Sequence, residues 1–139
     1  MIVYFDTSAL IPLVVEEPAS GAAARLWDTA ERVVSSRLVY VEARAALAQA
    51  RRAGRIEGTA LRRAVDDVED LVVLLDLVEV TPALVQRAGE LAERVGLRGY
   101  DAVHLSAALA VADPDLVLAS GDRQLVRAAR DMHLATAGL

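Results

Sequence analysis

Apolar positions change period several times along the chain, and the changes mark the elements. Ile2–Phe5 is a continuous apolar run of β-branched and aromatic residues, which predicts a buried strand ending at Asp6. Thr7 or Ser8 can cap a short helix to about Val15, with Pro18 ending it. Ser20 is the expected cap of a second helix, through Leu26 to about Arg32, and Val33–Ser36 predicts a second strand. From about Leu38 to Ala53 the chain reads as helix, with Val41, Ala45, Leu47 and Ala48 on or near an apolar stripe and Gly54 as its stop. Gly58–Leu75 is the clearest amphipathic helix. Its Leu61, Val65, Val68, Val72 and Leu75 share a face, while Arg62, Arg63, Asp66, Asp67 and Asp70 take others.

Leu77–Val80 predicts a third strand, and Thr81–Pro82 opens a helix to about Val95, stopped by Gly96. Asp101–Ala112 is apolar around most of its circumference, the pattern of a central buried helix opened by Asp101. Asp113–Pro114–Asp115 reads as a turn, Leu116–Ala119 as a fourth strand, Asp122–Met132 as a last helix and Leu134–Thr136 as a fifth short strand. Short apolar strands alternating with helices predict a three-layer α/β/α sandwich on a short, mostly parallel central sheet. Nothing resembles a linker, repeat or low-complexity tract, so one domain over residues 1–139 is expected.

Composition narrows the chemistry. All fifteen basic residues are Arg, there is no Lys and no Cys, and the only histidines are His104 and His133. Absent cysteine removes thiol catalysis, disulfides and thiolate metal sites. Absent lysine removes the Walker A phosphate loop and Schiff-base chemistry. Two histidines cannot make a three-histidine zinc site. The longest stretch without Asp, Glu or Arg is Ala102–Ala112, short of the ~20 residues a spanning helix needs. No basic region precedes the first apolar run, so a soluble intracellular protein is expected, without a signal peptide. The formal charge of −5 argues against bulk affinity for nucleic acid.

Most of the twenty acids fall on solvated faces or turns; four do not. Asp6 follows the first strand and Asp122 the fourth, at the carboxyl ends where open parallel sheets build their sites. Asp101 heads the buried helix. Glu42 lies early in the helix after the second strand, within reach of the same edge. Read blandly, all four are helix caps and first-turn residues complementing the helix dipole. Read as a cluster, they must take up protons or a cation, since two carboxylates ~4 Å apart repel by about 4 kcal/mol at an effective dielectric of 20. Oxygen ligands without cysteine favour Mg²⁺ or Mn²⁺ over zinc. Such an ion suits in-line phosphoryl displacement by water.

Four segments carry a resemblance. Val3–Leu10, with Asp6, resembles the opening of PIN-domain proteins of the VapC toxin type. Val41–Leu47 is similar to their second motif, with its glutamate, and Leu97–Ala108 to their third, with an aspartate at the head of a buried helix. Leu118–Leu125 resembles the fourth, where Thr or Ser stands two residues before the last aspartate. The resemblance implies an α/β sandwich and metal-dependent endoribonuclease activity on RNA. It also implies restraint by a cognate antitoxin, and a homodimer. Carried over, Asp6, Glu42, Asp101 and Asp122 form the catalytic and metal site, with Asp6 and Asp101 as direct ligands and Glu42 and Asp122 acting directly or through water. Ser8 and Ser120 would orient these carboxylates by hydrogen bonds. The other readings are a domain with this fold that has lost cleavage and only binds RNA, a DNA nuclease using the same acids, and an all-helical interaction protein.

Charge is unevenly spread. Between Ala43 and Val65 six arginines face one acid, Glu57, while residues 66–101 carry nine acids and three arginines. The arginine segment, Arg51 and Arg52 in particular, can hold RNA phosphates. It can equally form an ion-paired solvated face, or dock the antitoxin or a second subunit. Arg123, next to the last acid, can pair with it or with phosphate. His104 reads as a structural, hydrogen-bonded histidine and Tyr100 as packing near the site.

Overall fold

A computed structural model describes residues 1–139. Five strands alternate with helices: β1 (Ile2–Phe5), α1 (Thr7–Leu10), α2 (Ser20–Thr29), β2 (Arg32–Ser36), α3 (Val39–Arg52), α4 (Gly58–Leu74), β3 (Asp76–Val78), α5 (Pro82–Val95), α6 (Gly99–Val111), β4 (Leu116–Ser120), α7 (Arg123–Asp131) and β5 (Ala135–Gly138). The sheet order is β3-β2-β1-β4-β5, and every pairing is parallel. From β1 the chain winds outward through β2 and β3, then crosses to the other side of β1 to add β4 and β5. The order reverses between β1 and β4, and a crevice opens at such a switch point beyond the carboxyl ends.

Alternation along β1 builds both outer layers. Ile2 and Tyr4 join a core with Leu84, Leu91, Leu105 and Leu125 from α5, α6 and α7. Val3 and Phe5 join another with Leu10, Leu47, Val68 and Leu75. All four residues of β1 are buried, which is why its sequence is a continuous apolar run rather than an alternating one. Fully burying each Leu, Val or Phe contributes about 1.5–3 kcal/mol.

The predicted sandwich is present, with local differences. The first helix closes at Leu10 and continues only as a 3₁₀ turn, Ile11–Leu13, because Pro12 lacks the donor that another α turn would need. Its cap is Asp6 rather than Thr7 or Ser8. Ser20 is not the cap of α2 but its first residue; its hydroxyl instead accepts from Glu17 N–H and donates to the Val15 carbonyl. That helix ends at Thr29, not near Arg32, because Arg32 already pairs with Ile2. Strand β3 begins at Asp76, and β5 runs to Gly138. Helix α6 starts two residues before Asp101, which therefore sits in its first turn, not at its opening. Gly96 closes α5 at φ +70°, a left-handed conformation that glycine adopts without strain. No helix is long and apolar enough to cross a membrane.

Candidate active site

Asp6 is carried straight off β1 and is 3% exposed. Its Oδ1 accepts from Ala9 N–H at 2.8 Å, the cap of α1. The Ser8 hydroxyl reaches both carboxylate oxygens, at 2.7 and 2.9 Å, and the Ser120 hydroxyl donates to Oδ2 at 2.6 Å. Those serines also tie the two strand ends together. Ser8 Oγ accepts from Gly121 N–H at 2.8 Å, and Ser120 Oγ from Asp122 N–H at 2.9 Å.

Asp122 caps α7, its Oδ1 accepting from Gln124 and Leu125 N–H, while its Oδ2 accepts from Arg98 Nη2 at 3.0 Å. Arg98 Nε donates to Asp101 Oδ2 at 2.9 Å. One guanidinium thus bridges two acids on different helices. Glu42, in the first turn of α3, accepts at Oε1 from His104 Nε2, 2.7 Å away. Asp101 Oδ1 and Glu42 Oε2 have no protein donor. All four acids line one cavity of about 520 Å³, together with Thr7, Arg55, Arg98 and His104.

Burial dominates the electrostatics of Asp6 and pushes its carboxyl above the ordinary aspartate value, against the lowering effect of the hydrogen bonds from Ser120, Ser8 and the Ala9 amide. Arg98 is held more firmly protonated than usual, by its hydrogen bond to Asp101 and the charges of Asp101 and Asp122. The place between these two acids attracts a cation. The donors are carboxylate and hydroxyl oxygens, the set preferred by hard divalent ions. No three His or acidic side chains close on one point.

Each acid singled out in the sequence therefore lies at one edge, with Ser8 and Ser120 on Asp6. Arg123 borders the site, lining a neighbouring depression with Ser8 and Asp122. Arg51 and Arg52 are exposed in the last turn of α3 and do not line the acid cavity, whereas Arg55 from the same hairpin does. Tyr100 is exposed and lines a groove with Val85 and Val103 rather than the acid cavity, so its expected packing at the site is not found. Sequence reading missed Arg98. Its signal was the spacing of three to Asp101, which sets two side chains side by side on a helix.

The family profile of the PIN domain matches residues 3–131. Two ribonucleases of Mycobacterium tuberculosis, VapC45 and VapC49, are each 48% identical to this chain over 124 residues, covering 89% of it and 86% of the relative. Among solved structures, M. tuberculosis VapC20, described as a sarcin–ricin loop cleaving toxin, superposes with a TM-score of 0.69 at 21% identity, over 91% of this chain and 94% of that one. VapBC-1 from nontypeable Haemophilus influenzae gives 0.67 at 17% identity, over 99% and 98%. Those two likenesses show the fold, and the profile and close relatives show the descent: this chain belongs to the PIN-domain family, of the VapC type.

Proposed function

We propose that this protein is an endoribonuclease acting with Mg²⁺ or Mn²⁺, and the toxin half of a toxin–antitoxin pair. One observation carries the reading: carboxylates capping α1 and α7 and in the first turns of α3 and α6 line a single cavity at the switch point of a parallel sheet. The relatives that are 48% identical are ribonucleases, which supports RNA as the substrate.

Asp6 and Asp101 would hold the ion, and Glu42 and Asp122 would bind it directly or through water. When bound, the ion supplies a Lewis acid and lowers the pKa of its water. The protein groups do the rest. Ser8 and Ser120 fix the Asp6 carboxylate in one orientation. Arg98 and Arg55, lining the cavity, and Arg123 at its edge offer planar donors to phosphate oxygens. Arg51 and Arg52 extend that basic surface along the hairpin. Attack by water needs no 2′-hydroxyl nucleophile, and it leaves 5′-phosphate and 3′-hydroxyl ends.

The partner is a cognate antitoxin protein, a reading supported by the toxin–antitoxin structures that share the fold. The active form is a homodimer of single-domain chains in the cytoplasm. The test is to offer RNA and single-stranded DNA side by side with Mg²⁺, Mn²⁺ or a chelator. Cleavage of RNA only with metal is expected; cleavage of DNA in preference, or of RNA in the chelator, contradicts the assignment.

A further inference from the structure

A chain of three polar side chains runs from the middle of β1 to the acid cavity. Tyr4 is fully buried, and its Oη lies 2.8 Å from His104 Nδ1. The other ring nitrogen, Nε2, lies 2.7 Å from Glu42 Oε1, with the Thr7 hydroxyl 3.4 Å from it. The imidazole is 2% exposed and is packed edge-on against the Tyr4 ring, with centroids 5.8 Å apart and planes at 79°. Three elements thus converge on one contact, β1, α6 and α3, joining residues 100 and 62 positions apart. An apolar side chain at 104 would have packed this α6 surface with less desolvation cost.

With a neutral ring, one order of donors and acceptors satisfies the whole chain. Glu42 as a carboxylate only accepts, so the nitrogen facing it carries a proton. A neutral ring then bares Nδ1, which needs a donor, and the Tyr4 phenol supplies one. A phenol is protonated at neutral pH and so is free to donate. Every buried side-chain polar atom has a partner.

We propose that Tyr4 and His104 are positioning residues for Glu42: the phenol fixes the tautomer of His104, whose Nε2–H holds Glu42 Oε1. That clamp leaves Oε2, which has no protein donor, as the one oxygen that Glu42 presents to the cavity shared with Asp6, Asp101 and Asp122. It removes the rotamer freedom that a partly exposed glutamate otherwise has to surrender on binding an ion. This rests on the metal-dependent nuclease reading above.

The test uses the full chain and three variants, with Mn²⁺ itself as the probe. Mn²⁺ binding is followed by electron paramagnetic resonance without RNA. H104L is expected to weaken it about 10–100-fold. H104Q, whose amide N–H reaches to a similar distance, recovers most of the loss, and Y4F falls between. In turnover, the same variants lower kcat while KM for RNA stays unchanged. Nitrogen NMR of wild-type His104 shows the proton on Nε2, and Y4F mixes the tautomers. Wild-type affinity for Mn²⁺ in folded H104L, or a ring proton on Nδ1 in the wild type, overturns the proposal. If H104L fails to fold, Y4F and the wild-type tautomer still decide it. Wild-type protein that neither binds Mn²⁺ nor cleaves RNA removes the nuclease reading and the clamp together. Equal Mn²⁺ binding by wild type and H104L removes the clamp alone.

Discussion

Asp6 and Ser120 stand 114 positions apart in the chain, and the serine hydroxyl donates to the aspartate at 2.6 Å. Strand register makes the contact. Phe5 pairs with Ala119, so the next residue of each strand emerges beside the other at the carboxyl edge. The same serine oxygen accepts the Asp122 amide, so one hydroxyl serves two of the four acids.

Removing that hydroxyl leaves a buried carboxylate short of a donor. Ser120→Ala is expected to cost about 1–3 kcal/mol in denaturant unfolding. It should also lower Mn²⁺ affinity about 10–100-fold, the usual effect of losing a ligand's orienting partner. Ser120→Thr keeps the hydroxyl and should behave close to wild type. Unchanged unfolding in Ser120→Ala would show that the bond carries no stability.

Asp6 is costly to keep charged. Its pKa lies above the ordinary value of 3.8, so the folded protein retains a proton that the unfolded chain has already lost. Stability from this group therefore falls as pH rises from the ordinary value through the raised one. Asp6→Asn has no proton to lose and should remove this fall. It is expected to be at least as stable as wild type at neutral pH while losing activity. Chemical unfolding of both proteins across that pH range measures the difference.

What the sequence disclosed divides by the kind of force involved. Periodicity located β1 and α4 because β1 is buried on both faces and α4 on one, and burial writes itself into residue type. Asp6 and Asp122 were legible because a carboxylate at or just past the end of an apolar strand is costly to desolvate unless it caps a helix or meets a cation. The cap of α1 was misplaced because Asp6 both caps the helix and lines the acid cavity, and the neighbouring Thr7 and Ser8 offered the same local chemistry. Ser20 looked like a cap, but its hydroxyl closes the preceding turn instead. His104 was legible as a hydrogen-bonded histidine, but its partners Tyr4 and Glu42 were not, since the chain depends on three elements meeting in space.

Arg98 neutralises Asp101 and Asp122 by occupying the oxygens that a divalent ion would also use. Arg98→Gln is expected to tighten Mn²⁺ binding by up to about fivefold, the scale of an exposed ion pair. Calorimetric titration with Mn²⁺ measures this. Weaker binding in the variant would show that the guanidinium supports the ion site rather than competing with it.

The basic rim should register in salt dependence. If Arg123 touches a phosphate, Arg123→Ala lowers the slope of log affinity for RNA against log salt by about 0.7–0.9. A double substitution of Arg51 and Arg52 lowers it further if the hairpin also contacts RNA. Filter binding in a chelator gives both slopes. A slope identical to the parent in either variant removes those residues from the contact set.

The acid cavity as a metal-dependent ribonuclease site is tested most directly by RNA cleavage with Mg²⁺ or Mn²⁺, comparing wild type, Asp6→Asn and Asp101→Asn. The expected result is metal-dependent cleavage by wild type, with both variants folded and slower by several orders of magnitude. Cleavage at the wild-type rate by either folded variant would contradict the account.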